Sequence, residues 1–279
     1  MTGRDRDPAP PPGPSGLPVG DLLVAEPITL ELGVPAVALA VGAHPDDIEF
    51  GAGATLAKWA AAGCRVHHLV LTDGSKGSWD PDADLADLVT ERRDECRAAA
   101  AVIDGADGGR QREDRVIFLP WIDGELENGA DQRREIARVI RLVRPVILLG
   151  HDPWRRYRLH PDHRAAGFIT LDGLVAARDH HFFPELGLAH HRPDAVLLWE
   201  ADLPNHVEKA NGFELTKVDA LLCHRSQLES TMGVDPAAPP DEATGERDGF
   251  AAKVRHQLAS HGSLAGQPSA EAFRLITDL

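Results

Sequence analysis

Residues 36–53 read AVALAVGAHPDDIEFGAG. Seven near-continuous apolar residues, Ala36–Gly42, run into Ala43-His44-Pro45-Asp46-Asp47-Ile48-Glu49, and small residues follow from Gly51 to Ala57. An unbroken apolar run of this length reads as a strand buried on both faces, as in a parallel sheet. Proline followed by two acids is how a helix starts, because proline fits the first turn and carboxylates favour its positive end. The segment therefore predicts strand, tight turn and helix, with His44 and both aspartates at the carboxyl end of the strand. Ligands of open α/β sheets bind at that edge.

Outward from this stretch the same alternation continues. Further strands are expected at Arg65–Thr72, Arg115–Leu119, Pro145–Gly150 and Ala195–Trp199. Helices are expected over 51–62, 84–103, 131–143, 161–178 and 213–223. This is an α/β chain with a doubly wound, mostly parallel sheet and helices on both faces. Residues 1–20, dominated by Pro and Gly, read as a disordered leader, and 21–230 as the α/β domain. Residues 231–279 read as an appended loop and helix (247–259), either a lid or an oligomer contact.

The 279 residues carry a formal net charge of -15, which repels a phosphate backbone and argues against nucleic acid as a partner. Cys64, Cys96 and Cys223 are widely spaced and odd in number, so neither a disulfide framework nor a thiolate metal site is expected. The apolar runs are too short to span a bilayer and the amino-terminal residues lack a signal sequence, so a cytoplasmic protein is expected.

A second cluster, His160-Pro161-Asp162-His163, follows the strand 145–150 and opens another helix. Two imidazoles and a carboxylate, His44, Asp47 and His163, match the ligand set of a catalytic zinc that keeps one position for water. Such an ion lowers the pKa of its water. Asp46, beside a ligand but unable to share its ion, is the candidate general base. His160 is the candidate for stabilising the oxyanion or protonating the leaving amine, in its protonated form. Arg92 lies on the apolar stripe of the helix 84–103, so it is either paired, with Glu95 within reach, or functional. Asp123 precedes a glycine after the third strand; it reads as turn chemistry or as a carboxylate facing sugar hydroxyls. Glu49 reads either as a partner of a metal-bound histidine or as a first-turn acceptor, and His224 as structural. The basic loop Arg155–Arg158 reads as solvated charge or as an anion site.

These motifs resemble the PIG-L/LmbE deacetylase family. The resemblance rests on Ala43–Glu49 with Gly51–Ala57, on His160–His163, and on Lys217, Ala220, Leu221, His224, Ser226 and Gln227. It covers about residues 36–228. It implies a Rossmann-like fold, a divalent metal, usually zinc (Zn2+), and hydrolysis of the N-acyl group of a small-molecule amino-sugar conjugate. It puts His44, Asp47 and His163 on the metal, Asp46 as base, His160 at the tetrahedral intermediate and Arg92 on substrate hydroxyls. One departure stands out: some members carry tyrosine where this chain has Arg158, with Tyr157 one step earlier. The remaining alternatives are an amidase acting on a thiol-sugar conjugate or natural-product intermediate, a silent metal-binding protein, and a nucleotide-binding module suggested only by Gly51-x-Gly53.

Overall fold

A computed structural model of the chain describes residues 27–105, 115–235, 237 and 239–279; the expected leader at 1–20 lies outside them. The elements run β1 (Thr29–Leu30), β2 (Val37–Gly42), α1 (Asp47–Ala61), β3 (Arg65–Thr72), α2 (Leu85–Ile103), β4 (Val116–Trp121) and α3 (Ala130–Val143). They continue with β5 (Ile147–His151), α4 (Pro161–Arg178), β6 (Ala195–Trp199), β7 (His206–Lys209), α5 (Glu214–Leu221), α6 (Pro240–Ser263) and β8 (Ala270–Ile276). The five expected strands and five expected helices of the α/β domain are all present, within a few residues of the expected ends.

The strands form one sheet in the order β1-β7-β8-β6-β5-β2-β3-β4. All pairings are parallel except the two made by β8. Alternate residues of β2 serve opposite faces, as a strand's two-residue period requires. Leu39 and Val41 join the core under α3 and α4, whereas Ala38 and Ala40 join the core under α1 and α2. The small alanines leave room for Ile48, Leu56 and Trp59 of α1. Chain order reverses between β2 and β5, so a crevice opens beyond their carboxyl ends.

The appended segment is corrected by the structure. β8 lies inside the sheet, antiparallel to both β6 and β7, so residues after 231 complete the fold. Its inner residues Ala270, Ala272 and Phe273 are buried. Buried Arg141 of α3 locks the other face: its guanidinium donates to the carbonyls of Ala176, Ala177, Asp179 and Phe182 at the end of α4. These carbonyls lack helical partners, and a cation suits the negative end of the helix. Cys64 and Cys96 are buried thiols and Cys223 is partly so. Among the described residues no helix is long and apolar enough to cross a membrane.

Candidate active site

The crevice at the β2/β5 reversal is a cavity of about 550 Å³ lined by, among others, His44, Asp46, Asp47, Arg92, His160 and His163. The turn after β2 delivers His44, Asp46 and Asp47; the start of α4 delivers His160 and His163. Pro161 begins α4, and His160 is its cap, Nδ1 accepting the Asp162 amide at 3.3 Å.

Three side chains converge, Asp47 through both of its oxygens. His44 Nδ1 is 3.1 Å from His163 Nε2 and 3.3 Å from Asp47 Oδ2, and His163 Nε2 is 3.2 Å from Asp47 Oδ1. A tetrahedral ion with bonds of about 2.0–2.1 Å holds its donors roughly 3.3–3.4 Å apart. The set therefore fits a small divalent metal.

Three groupings among the described residues, Asp47–His151–His163, His44–Asp123–Asp162 and His44–His160–His163, meet the spacing of a metal site. Hydrogen bonding separates them from the first set. The Trp199 indole donates to His151 Nδ1 at 3.1 Å, which places the ring hydrogen on Nε2, 3.2 Å from Asp47 Oδ2. His151 thus donates to Asp47 and orients it. His44 Nε2 faces Asp162 Oδ2 at 3.2 Å and Asp123 Oδ1 at 3.1 Å. A hydrogen on Nε2 shared with those carboxylates leaves Nδ1 free, the usual arrangement behind a metal-binding histidine. The third grouping, His44–His160–His163, spends His160 Nδ1 on the helix cap.

Charge in the site follows from these contacts. Burial disfavours the His44 imidazolium, but Asp123, Asp162 and Asp47 outweigh it and raise the pKa well above the usual imidazole value. Burial likewise pushes the Asp47 carboxyl up, yet His151 and His44 bring it well below the carboxylate range. Asp46 differs: burial raises its pKa against the pull of Arg92. His160 is lowered, first by burial and then by the charge of His44. Both effects favour the neutral ring over the protonated form expected from sequence, and with Nδ1 accepting the Asp162 amide a neutral ring carries its hydrogen on Nε2.

Arg92 is buried in the cavity wall. It donates to the Gly74 carbonyl at 2.7 Å, and its Nη2 lies 3.6 Å from Asp46 Oδ1. The alternative partner Glu95 instead receives both the amide and the hydroxyl of Ser226. Asp123 lines the cavity, but its carboxylate is occupied, one oxygen facing His44 and the other accepting the Lys76 amide at 3.1 Å. Asp123 therefore backs His44 from within the cavity wall.

Glu49 meets none of the three converging donors. It is sealed between His68 and His224, at 3.5 Å and 3.4 Å. The arginine loop keeps Arg155 and Arg156 exposed to solvent, and its guanidiniums have acidic or carbonyl partners. Arg156 pairs with Asp202 and Arg158 with Glu200, both at 2.6 Å, and Arg155 donates to the Glu200 carbonyl at 2.8 Å. Arg158 also abuts Nδ1 of His163. For His163 to offer Nε2 to a metal, its hydrogen must sit on Nδ1 and the guanidinium must turn to Glu200, already its partner. Tyr157 points outward, 94% exposed.

Residues overlooked in the sequence are His151, Asp162 and Glu200. His151 was detectable as the last residue of a buried strand at the functional edge. Asp162 sits inside a recognised motif, yet its contacts reach across the fold: besides His44, it accepts the amides of Gly124 and Leu126. Glu200 has no local signal.

The family model for GlcNAc-PI de-N-acetylase (PIG-L) matches residues 39–174. The chain is 33% identical over 193 residues to diacetylchitobiose deacetylase of Thermococcus kodakarensis, covering 68% of this chain and 69% of the relative. It is 32% identical over 171 residues to 1D-myo-inositol 2-acetamido-2-deoxy-alpha-D-glucopyranoside deacetylase of Streptomyces scabiei, covering 53% of this chain and 51% of the relative. In three dimensions it is similar to N,N'-diacetylchitobiose deacetylase from Pyrococcus horikoshii, with a TM-score of 0.73. The sequence identity there is 24%, with 87% of this chain and 84% of the other covered, so that likeness bears on the fold alone.

Proposed function

The chain belongs to the PIG-L de-N-acetylase family, and from that premise we propose that it hydrolyses the N-acetyl group of an amino-sugar conjugate, using zinc held by His44, Asp47 and His163. The observation that carries the reading is the convergence of those three side chains, with 3.1–3.3 Å between the two imidazole nitrogens and the two oxygens of Asp47 that face them, beside the carboxylate of Asp46. A divalent metal bound there supplies Lewis-acid polarisation of a carbonyl and a more acidic water.

The protein's own groups do the rest. Asp46, kept basic by its raised pKa, takes a proton from the attacking water. The water oxygen bonds to the acyl carbon, and the carbonyl oxygen gains negative charge. The Nε2 hydrogen of neutral His160 donates to that oxygen, a preorganised contact that strengthens as charge develops. The amide C–N bond then breaks. The proton held by Asp46 passes to the leaving nitrogen, giving acetate and a free amino sugar. Arg92 sets the position of the Asp46 carboxylate. The cavity volume of about 550 Å³ is in the range of small-molecule sites, and Trp79 offers an apolar wall for a sugar ring.

The test is acetate release from N-acetylglucosaminyl glycosides, including diacetylchitobiose and an N-acetylglucosaminyl inositol. Release that stops with a chelator and returns with zinc supports the proposal. Release unaffected by exhaustive chelation, or no release from any such glycoside by zinc-loaded protein, contradicts it.

A further inference from the structure

α1 is not a continuous helix. Ala52 has φ -144° and ψ 15°, outside helical geometry, so the first turn with Asp46 and Asp47 meets the rest at a kink. In an unbroken helix the Ala54 amide would donate to the Phe50 carbonyl. Here an ion pair from elsewhere serves both groups. Glu271 of β8 accepts the Ala54 amide at 3.1 Å and the Thr55 amide at 2.8 Å. Lys217 of α5 donates to the Phe50 carbonyl at 2.7 Å and to Glu271 at 2.5 Å. The side chains are 3% and 2% exposed.

Small residues at 51 and 53 make this arrangement fit. A Cβ on Gly53 would come within 3.2 Å of the Lys217 stem, and one on Gly51 within 2.4 Å of the Trp199 ring. That explains the Gly51-x-Gly53 pattern without a nucleotide: both glycines admit close neighbours to a kinked helix.

We propose that Lys217 and Glu271 are positioning residues, a two-residue bridge inserted into α1 that fixes where the Asp46–Asp47 turn stands relative to His163. The bridge acts through the backbone and touches no reacting atom. The metal part of this inference rests on the function proposed above; the bridge itself is read from hydrogen bonds. A purely stabilising ion pair is replaceable by apolar side chains of similar size without loss, whereas removing one partner leaves a buried charge and destabilises the fold. A bridge that also replaces helix hydrogen bonds has no apolar substitute.

The experiment compares wild type, Glu271→Gln, and the double variant Lys217→Met/Glu271→Leu, all as full chains. It reads thermal midpoint, cobalt(II) affinity by visible absorption of the metal-free protein, and hydrogen exchange of the Ala54 and Thr55 amides. The expected result is a lowered midpoint for Glu271→Gln and also for the double variant, which leaves the Ala54 and Thr55 amides and the Phe50 carbonyl without these partners. Cobalt affinity in the double variant stays at least about tenfold weaker than wild type, the cost typical of disturbed support around a metal, and the two amides lose protection. Wild-type cobalt affinity in the folded double variant overturns the proposal, whatever its midpoint. A wild-type chain that binds no cobalt overturns the metal reading instead. The bridge is then judged by exchange: protection lost in the double variant supports it, and protection retained overturns it.

Discussion

Two acid–histidine clusters hang from the same helix, and only one has the makings of a catalytic centre. Asp47 meets His44, His151 and His163 at the mouth of a cavity. Glu49, two residues on, meets His68 and His224 in the interior, where all three are nearly inaccessible. The residue types are the same and so is the sequence neighbourhood. Orientation differs: the helical twist turns Asp47 toward β5 and α4 and Glu49 toward β3 and the end of α5. Convergence differs too. Around Asp47 the imidazoles of His44 and His163 approach each other and the carboxylate within 3.1–3.3 Å, and each histidine's remaining nitrogen is engaged from behind or adjacent to Arg158. Around Glu49 the two imidazoles flank opposite oxygens. Burial pushes the Glu49 carboxyl up, but His224 and His68 pull it further down, to about 2, so it remains a charged internal strut.

The sharpest break of this comparison is Asp47→Asn. Removing an anionic donor from the open cluster is expected to abolish tight metal binding and to lower kcat on the order of a thousandfold or more, as metal analysis and acetate release would read. A step smaller is Asp162→Asn. It leaves the three donors intact but loosens the hold on His44, so zinc affinity should fall about 10–100-fold in a competitive chelator titration. Glu49→Gln should do the reverse of Asp47→Asn. Denaturant unfolding should show a loss of about 3 kcal/mol, because the rings of His68 and His224 lose a buried anionic partner, while kcat of the folded protein is unchanged. Equal losses of metal from Glu49→Gln and Asp47→Asn would erase the distinction between the clusters.

The smallest effect belongs to a third acid–histidine pair, remote from both. Glu208 sits 3.0 Å from His206 and 2.6 Å from Lys58. Burial raises its carboxyl, but His206 and Lys58 outweigh it and the net shift is downward. A depressed folded pKa means stability that is full above the ordinary carboxylate range and is lost as pH falls through the folded value. Thermal midpoints measured across acidic pH should fall less steeply in Glu208→Gln than in wild type.

Much of this was legible in the chain. The strand–turn–helix at 36–53 fixed the functional edge, and the paired motifs at 44–47 and 160–163 supplied the three donors that converge. What stayed hidden was non-local. β8 reads as a short, mixed segment because its partners β6 and β7 lie about 60 to 80 residues earlier, and antiparallel insertion into a parallel sheet leaves no periodic trace. The Glu271 carboxylate looks like a surface charge until the kink at Ala52 is seen. Asp123 and Asp162 are indistinguishable from turn and cap residues by sequence, since the His44 they support is some 80 and 118 residues away. The pairing of the arginine loop was hidden for the same reason: its acidic partners are Glu200 and Asp202.

The most direct test of the central claim is the metal content of purified wild type, Asp46→Asn and His163→Ala after zinc reconstitution, with acetate release measured on the same samples. The expected result is about one zinc per chain in wild type and in Asp46→Asn, turnover in Asp46→Asn reduced by about 10²–10⁴-fold, and neither zinc nor turnover in His163→Ala. Wild type and His163→Ala holding the same amount of zinc, or Asp46→Asn turning over at the wild-type rate, would contradict it.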